Sequence, residues 1–342
     1  MSRNDTIRGV PVAVVGGAGF LGSHLVDHLL NDRQCKVIVI DNLVAGRREF
    51  IHKDAFFWHG DITHSEIALR NLFSDYSIQY VFSYAAHPYI PDSFARPLHT
   101  INSNMIGAVN VINAAQDAGV RAILQVSSAE IYGGCNSKEY PNIHPMFKKS
   151  NEDSPVEPHS TYGVAKAAVD NYVQVRWREA KTPCIALRQF NCIGERETHP
   201  YIVPEIIGQL AKQSPVVGGV KNGAKISLGN NSYRDFQYAG DAVRMATELL
   251  EKGNFGEVYN MGSEEGIRMY DLAQLTGKLI GFEDVWVEPD SARMRPWEIW
   301  HLQSDNTKLY EVIDYRPQTS FEDALRKTIQ WYNDNGRKWS WE

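Results

Sequence analysis

The most constraining feature is a short apolar, β-branched run from Val10 to Val15, followed at once by Gly16-Gly17-Ala18-Gly19-Phe20-Leu21-Gly22 and then by apolar residues at helical spacing. Strand, glycine turn and helix in that order leave little choice of fold. The turn reads as G-x-G-x-x-G from Gly17 or as G-x-x-G-x-x-G from Gly16. Glycine is needed there for the tight bend, for close approach of a pyrophosphate to the backbone, and for packing helix on strand. The helix N-terminus adds N–H groups and a positive dipole end for the phosphates. Asp41 ends the second apolar run, Lys36 to Ile40, at about the 20-residue distance such a site requires. Its carboxylate is placed to accept from ribose hydroxyls and would repel a 2′-phosphate. NAD is therefore the expected cofactor, although Arg47 and Arg48 lie within reach of a 2′-phosphate. Asp61 and Ile62, after a third short strand at Phe56 to Trp58, are expected beside the adenine.

The alternation continues. Tyr80 to Tyr84, Ala122 to Ser127 and Cys184 to Phe190 read as strands, with helices expected from about Thr100 to Ala118 and from about Tyr162 to Ala180. Gly119 is placed as the cap of the first of these helices. Such a pattern implies right-handed crossovers and a doubly wound parallel α/β sheet of the Rossmann type. The regularity fades after Asn191. Residues 1–190 are expected to form the dinucleotide-binding domain, and 191–342 a smaller mixed substrate lobe with some returning sheet elements. The polar stretch Gly133 to Ser160 is too long for an ordinary connection and is expected to be functional or mobile.

Composition narrows the class. Hydrophobic residues are 43% and charged residues 22%, which excludes a disordered chain. A net charge of −6 argues against a nucleic-acid partner. No apolar run approaches the roughly 20 residues of a membrane span, and the start of the chain reads as a first strand rather than a signal peptide. Cys35, Cys135, Cys184 and Cys192 are scattered without C-x-x-C spacing, so they are expected as free thiols in a reducing, cytoplasmic setting. His87, His159, His199 and His301 lack metal-ligand spacing, and Trp339 and Trp341 read as packing or tail residues.

Tyr162 and Lys166 stand one turn apart on a helix face. A phenol with an ordinary pKa of about 10 needs a nearby cation to act as a base near neutral pH. Lys166 supplies that charge. Ser128 follows the Ala122 to Ser127 strand, at the sheet edge where ligands bind in open α/β folds.

Together GGAGFLG with Asp41, YAAH at Tyr84 to His87, Asn104 before Gly107, SSAEIYG at Ser127 to Gly133 and YGVAK resemble the extended short-chain dehydrogenase/reductase family. RQFNCIG around Asn191 and YRDFQYAGD around Arg234 resemble its nucleotide-sugar branch. The resemblance implies a catalytic set of Ser128, Tyr162 and Lys166. Tyr162 would take a sugar hydroxyl proton, Ser128 would hold the developing carbonyl oxygen, and Lys166 would also bind the nicotinamide ribose. The expected cofactor contacts are completed by Gly16, Gly19, Phe20, Leu21, Gly22, Asn42 and Ala85. The residues after Ser128 would decide the outcome. Glu130 fits the base that removes a C5 proton in a sugar 4,6-dehydratase. Ala129 departs from the dehydratase pattern, because alanine cannot protonate a leaving hydroxyl.

RMRPWEIWHLQSDNTKL from Arg293 resembles the R-P-x-E stretch of GDP-mannose 4,6-dehydratase-type enzymes. His87, Asn191, Arg234 and Arg295 are the expected substrate residues, arginine suiting a diphosphate because its planar fork binds oxygens in pairs. The leading expectation is thus an NAD-dependent nucleotide-sugar 4,6-dehydratase, followed by a 4-epimerase and a UDP-uronate decarboxylase. A non-catalytic NAD-binding sensor is disfavoured because Ser128, Tyr162 and Lys166 are all present. Apolar positions on the two long helices beyond one buried face, together with the habit of relatives, imply a homodimer.

Overall fold

The computed structural model describes residues 6–133, 149–198, 201–213 and 223–335. Cys135, His199, Trp339, Trp341 and most of the long polar stretch lie outside them. Strands β1 (Pro11–Val15), β2 (Lys36–Asp41), β3 (Phe56–His59), β4 (Tyr80–Ser83), β5 (Ala122–Val126) and β6 (Cys184–Gln189) follow in sequence. The chain then leaves the sheet through β7 (Asn191–Ile193), β8 (Ala224–Leu228) and β9 (Tyr233–Tyr238), and β10 (Val258–Met261) returns to it. The result is a seven-stranded sheet in the order β3-β2-β1-β4-β5-β6-β10, parallel throughout. Strand order reverses between β1 and β4, so the carboxyl ends of these two strands form the crevice of a Rossmann-type fold.

The continuous apolar strands reflect burial on both faces. Val12 and Val14 of β1 point to a layer that includes α1 (Phe20–Asn31) through Leu25, Val26 and Leu29. Ala13 and Val15 point to the other layer, with α2 (Glu66–Asp75) through Leu69, Leu72 and Phe73. Short helices α3 (Ile90–Ala95) and α4 (Pro97–Ile101) lead into α5 (Gly107–Asp117), whose Val111 and Ile112 join the second layer, as does Val173 of α6 (Thr161–Ala180). A second core gathers Val203, Ile206, Ile207 and Leu210 of α7 (Ile202–Ala211) with Ile226, Phe236 and Leu325. Helix α8 (Ala239–Lys252) packs back on the first layer. Around β9, β7 pairs in parallel with its second half, while β11 (Gly266–Arg268) and β13 (His301–Leu302) pair with its first; β12 (Val285–Pro289) pairs with β8.

The strands end where sequence periodicity places them to within a residue or two. The single helix expected from Thr100 to Ala118 is instead interrupted: a π-helical turn at Asn102–Ile106 joins α4 to α5. The extra residue in that turn accompanies the buried Asn104 amide, which accepts from the His87 N–H at 2.6 Å and donates to the His87 carbonyl at 3.0 Å. This long-range pairing overrides the local period. Gly119 does follow α5 in the left-handed conformation, φ +72°. At its start, α6 is capped by Ser160, whose hydroxyl accepts from the Gly163 N–H at 3.0 Å.

Candidate active site

Gly16 leaves β1 with φ +81°, and a Cβ there would lie 2.6 Å from the Ala85 nitrogen. A Cβ on Gly22 would lie 2.0 Å from the Gly16 carbonyl oxygen. These two glycines therefore bring the turn against β4 and the helix against the turn. Gly19 is the N-cap of α1, and a Cβ there would meet protein no closer than 3.3 Å. Phe20 and Leu21 open the helix, where the first N–H groups have no intrahelical partner. The cradle suits a pyrophosphate.

Asp41 is buried, and both its oxygens accept backbone amides, from Ala18 at 3.0 Å and from Leu43 at 2.8 Å. Burial raises its pKa against the pull of those amides. A carboxylate has about four acceptor sites, so ribose hydroxyls can still be accommodated. Asn42 donates to Asp61 at 3.1 Å, and Asp61 also accepts from the amide and hydroxyl of Thr63 at 2.8 and 2.7 Å. Burial alone would raise the Asp61 carboxyl, but these donors outweigh it and hold it below its ordinary range. Ile62 lies over Gly107, where a Cβ would approach its side chain to 2.7 Å. Arg48 is stacked over Phe57 at 5.0 Å. Gly16, Asp41, Asp61 and Ala85 thus ring the crevice at the ends of β1 to β4.

Ser128 begins the 3-10 turn Ala129–Tyr132 directly after β5 and accepts from the Glu130 N–H at 3.2 Å. Tyr162, in the first turn of α6, is hydrogen-bonded to Ser128. Lys166 donates to the Val126 carbonyl at 2.9 Å, with its ammonium 5.8 Å from the centre of the Tyr162 ring. The structure thus brings the three expected catalytic residues together, but it corrects their electrostatics. Burial pushes Tyr162 up to about 12, against the Ser128 hydrogen bond, and the nearby Glu130 charge adds to the rise. Burial brings Lys166 down to about 8, with Asp170 opposing. The lysine does not pull the phenol down in this arrangement; both groups are held in their uncharged direction by loss of water.

Glu130 faces arginines. Arg295 Nη1 lies 3.3 Å from its carboxylate, and Arg234, nearly fully buried, pairs with Glu298 at 3.5 Å. Burial lowers the Arg234 pKa, with Glu130 and Glu298 countering. Arg295, expected as an open fork for a diphosphate, is therefore already engaged by the expected base. This contact bridges the segment after β5 and the segment before β13, and nothing local in either announces it. Ala129 is buried beside Ile131 and Tyr132. Asn191 lies in register with Phe236 across β7 and β9. His87 is fixed by Asn104 and by Asp92 at 2.9 Å, His301 is stacked on Tyr233 at 4.9 Å, and His159 lies 6.4 Å from the Trp297 ring.

Sequence reasoning missed several members of the site. Asp170 stands one turn beyond Lys166, a spacing readable in the sequence. Glu298 is the acid of the R-P-x-E stretch that begins at Arg295, a signal the sequence does carry, whereas Glu197 has none. Glu197 is 5% exposed and its Oε2 has no hydrogen-bond partner among the described residues. It follows Arg196, which adopts the left-handed conformation at φ +69°, and after burial, Tyr162 and Glu197 both push the Tyr201 pKa further up. Among the described residues no group of acidic, histidine and cysteine side chains is arranged to hold a metal ion, and no helix is long and apolar enough to cross a membrane. Cys35, Cys184 and Cys192 are free thiols.

Comparison with known proteins shows which family the chain resembles along its length. A mouse dTDP-D-glucose 4,6-dehydratase is 28% identical over 96% of this chain and 90% of its own length. A Streptococcus mutans UDP-glucose 4-epimerase is 27% identical over 96% of each chain. Among solved structures, the Thermotoga maritima UDP-glucose 4-epimerase with UDP-glucose superposes with a TM-score of 0.82 at 27% identity, covering 95% of this chain and 99% of that one. A Streptomyces venezuelae dTDP-glucose 4,6-dehydratase with NAD bound gives 0.83 at 25% identity, covering 96% and 99%. The model of the NAD dependent epimerase/dehydratase family matches residues 12–262. The chain belongs to that family, in the extended short-chain dehydrogenase/reductase group of sugar dehydratases and epimerases, and is an enzyme whose cofactor is NAD.

Proposed function

We propose that this protein is a nucleotide-sugar 4,6-dehydratase acting through a transient 4-keto sugar. The observation that carries this reading is Glu130: a carboxylate on the turn immediately after Ser128, close enough to Tyr162 to act on its charge. NAD, when bound, supplies the reversible hydride acceptor at the sugar carbon. The glycine turn, Asp41, Asn42, Asp61, Ile62 and Ala85 would hold it. Tyr162 receives the C4 hydroxyl proton, and Ser128 donates to the carbonyl oxygen that develops there. A C5 proton is acidified by that adjacent carbonyl; Glu130 removes it and passes it to the C6 hydroxyl, so that the C6–O bond breaks, water leaves and a C5–C6 double bond forms. Lys166, which donates to the Val126 carbonyl beside the Tyr162 ring, would bind the nicotinamide ribose. Arg234, Arg295 and Asn191 form the substrate end, where paired guanidinium donors suit a diphosphate.

A second reading, 4-epimerase, is favoured by two observations. Ala129 has no proton to give a leaving hydroxyl, and Glu130 is already paired with Arg295. Mass spectrometry of the protein incubated with UDP-, dTDP-, GDP- and CDP-sugars tests both readings. Loss of one water supports the dehydratase, an isomer of unchanged mass the epimerase, and loss of carbon dioxide a uronate decarboxylase. The reading extends to a cytoplasmic homodimer: Leu98, Ile106, Val164 and Val175 leave apolar side chains exposed along α4, the π turn and α6.

A further inference from the structure

The turn that follows β5 and the segment that precedes β13 meet in two ways. Ala129 is 2% exposed and shares an apolar cluster with Ile131, Phe190, Ile299 and Leu302, so position 129 serves packing and carries no proton donor. One residue on, Glu130 meets the guanidinium of Arg295, whose Nη1 lies 3.3 and 3.5 Å from its two oxygens. Glu298, three residues beyond Arg295, is taken instead by Arg234 at 3.5 Å and accepts the Ile299 N–H at 3.3 Å. Pro296 restricts the backbone of Arg295 to extended conformations. Among the described residues Arg295 makes no other hydrogen bond, so the donors on Nη2 and Nε remain for substrate. Glu130 is fastened to the catalytic set through its backbone. Its N–H donates to the Ser128 hydroxyl at 3.2 Å, and its carbonyl oxygen lies 3.1 Å from where a Cβ would stand on Gly163, the neighbour of Tyr162. The guanidinium is thereby delivered to the reacting end of the site and not only to a diphosphate.

We propose that Arg295 takes the place of the acid that Ala129 lacks: an N–H of its guanidinium holds the C6 oxygen as it leaves, while Glu130 carries the proton. The proposal rests on the dehydratase reading above. In the resting site the guanidinium balances the Glu130 carboxylate. Once Glu130 has taken the C5 proton its charge is gone, and the N–H that faced it turns to the C6 oxygen, where negative charge is developing. The electron pair of the broken C5–H bond forms the C5–C6 double bond as the C6–O bond breaks. The proton on Glu130 passes to that oxygen, which departs as water and leaves Glu130 a carboxylate again, paired with Arg295. The arginine gives up no proton at any point, since its pKa lies above about 12; it contributes charge and direction. Removing one donor of this kind costs about 10²–10³-fold in kcat.

The test is Arg295→Gln, with Arg295→Lys beside it, in NAD-loaded protein. Each is given whichever of the UDP-, dTDP-, GDP- and CDP-hexoses the parent dehydrates, and the 6-deoxy-6-fluoro analogue of that sugar. Fluoride is a far weaker base than hydroxide and leaves with little help. Arg295→Gln is expected to lower kcat for water loss about 10²–10³-fold and fluoride loss by much less. Because Glu130 is intact, solvent deuterium should still enter C5 of the recovered sugar, which separates this variant from Glu130→Gln. Arg295→Lys keeps the charge without the planar fork and should recover part of the water loss. A role limited to the diphosphate would raise KM, leave kcat in place and treat the two leaving groups alike. Equal falls for hydroxyl and fluoride, or an unchanged kcat, overturn the proposal. Should Arg295→Gln not fold, Arg295→Lys carries the same comparison of leaving groups. A parent that yields only an isomer or carbon dioxide refutes the dehydratase reading and this assignment with it. A parent that loses water beside an Arg295→Gln that loses it equally fast refutes the assignment alone.

Discussion

Gly16→Ala isolates the closest approach in the cofactor cradle. The new methyl would stand 2.6 Å from the Ala85 nitrogen, 2.8 Å from its Cα and 2.9 Å from the Tyr84 carbonyl carbon. All three are backbone atoms, so no side chain can swing away, and β1 must part from β4 at its carboxyl end. Holding alanine at φ +81° costs about 1–2 kcal/mol, and overpacking adds about 1–3 kcal/mol, about 2–5 kcal/mol together. Gly9 supplies the control. It has φ +67° but nothing within 4 Å of a Cβ, so Gly9→Ala carries the conformational cost alone, about 1–2 kcal/mol. Urea unfolding followed by tryptophan fluorescence reads the two stabilities, and NAD titration reads the crevice. Gly16→Ala should be the less stable by about 1–3 kcal/mol and should lose NAD affinity, while Gly9→Ala binds as the parent does. Equal stability and equal affinity in the two variants would refute the argument that close packing at Gly16 shapes the site.

Three further outcomes are expected. With the substrate found by mass spectrometry, Tyr162→Phe should abolish all turnover, whereas Glu130→Gln should let reduced nicotinamide accumulate while water loss falls about 10²–10⁴-fold; full turnover in Glu130→Gln without solvent deuterium at C5 would instead promote the epimerase. Burial holds the Glu197 carboxyl pKa well above its ordinary value. The folded protein therefore keeps a proton that the unfolded chain releases above about pH 4.3, and this residue's contribution lowers stability as pH rises, by about 1.4 kcal/mol per unit until the folded group ionises. Glu197→Gln should flatten that decline between pH 5 and pH 8 in urea midpoints, and an identical pH dependence in the two proteins would count against it. Light scattering should give a dimer at micromolar concentration that Leu98→Glu and Val175→Glu dissociate; a monomeric parent removes the homodimer proposal.

Much of this protein is legible in its sequence because the relevant physics is local. The β-branched runs around Val12, Val39 and Val81, each buried on both faces, could only become interior parallel strands. Gly16 and Gly22 mark places where a Cβ has no room, and Asp41 falls at the end of the strand beside them. Tyr162 and Lys166 share a helix face through spacing alone, and Ser128 follows a strand whose end is set by the sheet. What the tertiary structure alone decides concerns groups distant in the chain. The return of Val258–Met261 to the sheet follows from packing, since no local period assigns it a neighbour. The π turn at Asn102–Ile106 accompanies an amide bonded to the backbone of His87, which no helical propensity can foresee. The contact of Glu130 with Arg295, the grip of Arg188 on Asp170 and the opposed shifts of Tyr162 and Lys166 depend on how much water the packed fold excludes and which charges it brings together. Desolvation and Coulomb interactions act through space, so a one-dimensional pattern names the chemical groups while only the folded chain sets their charges.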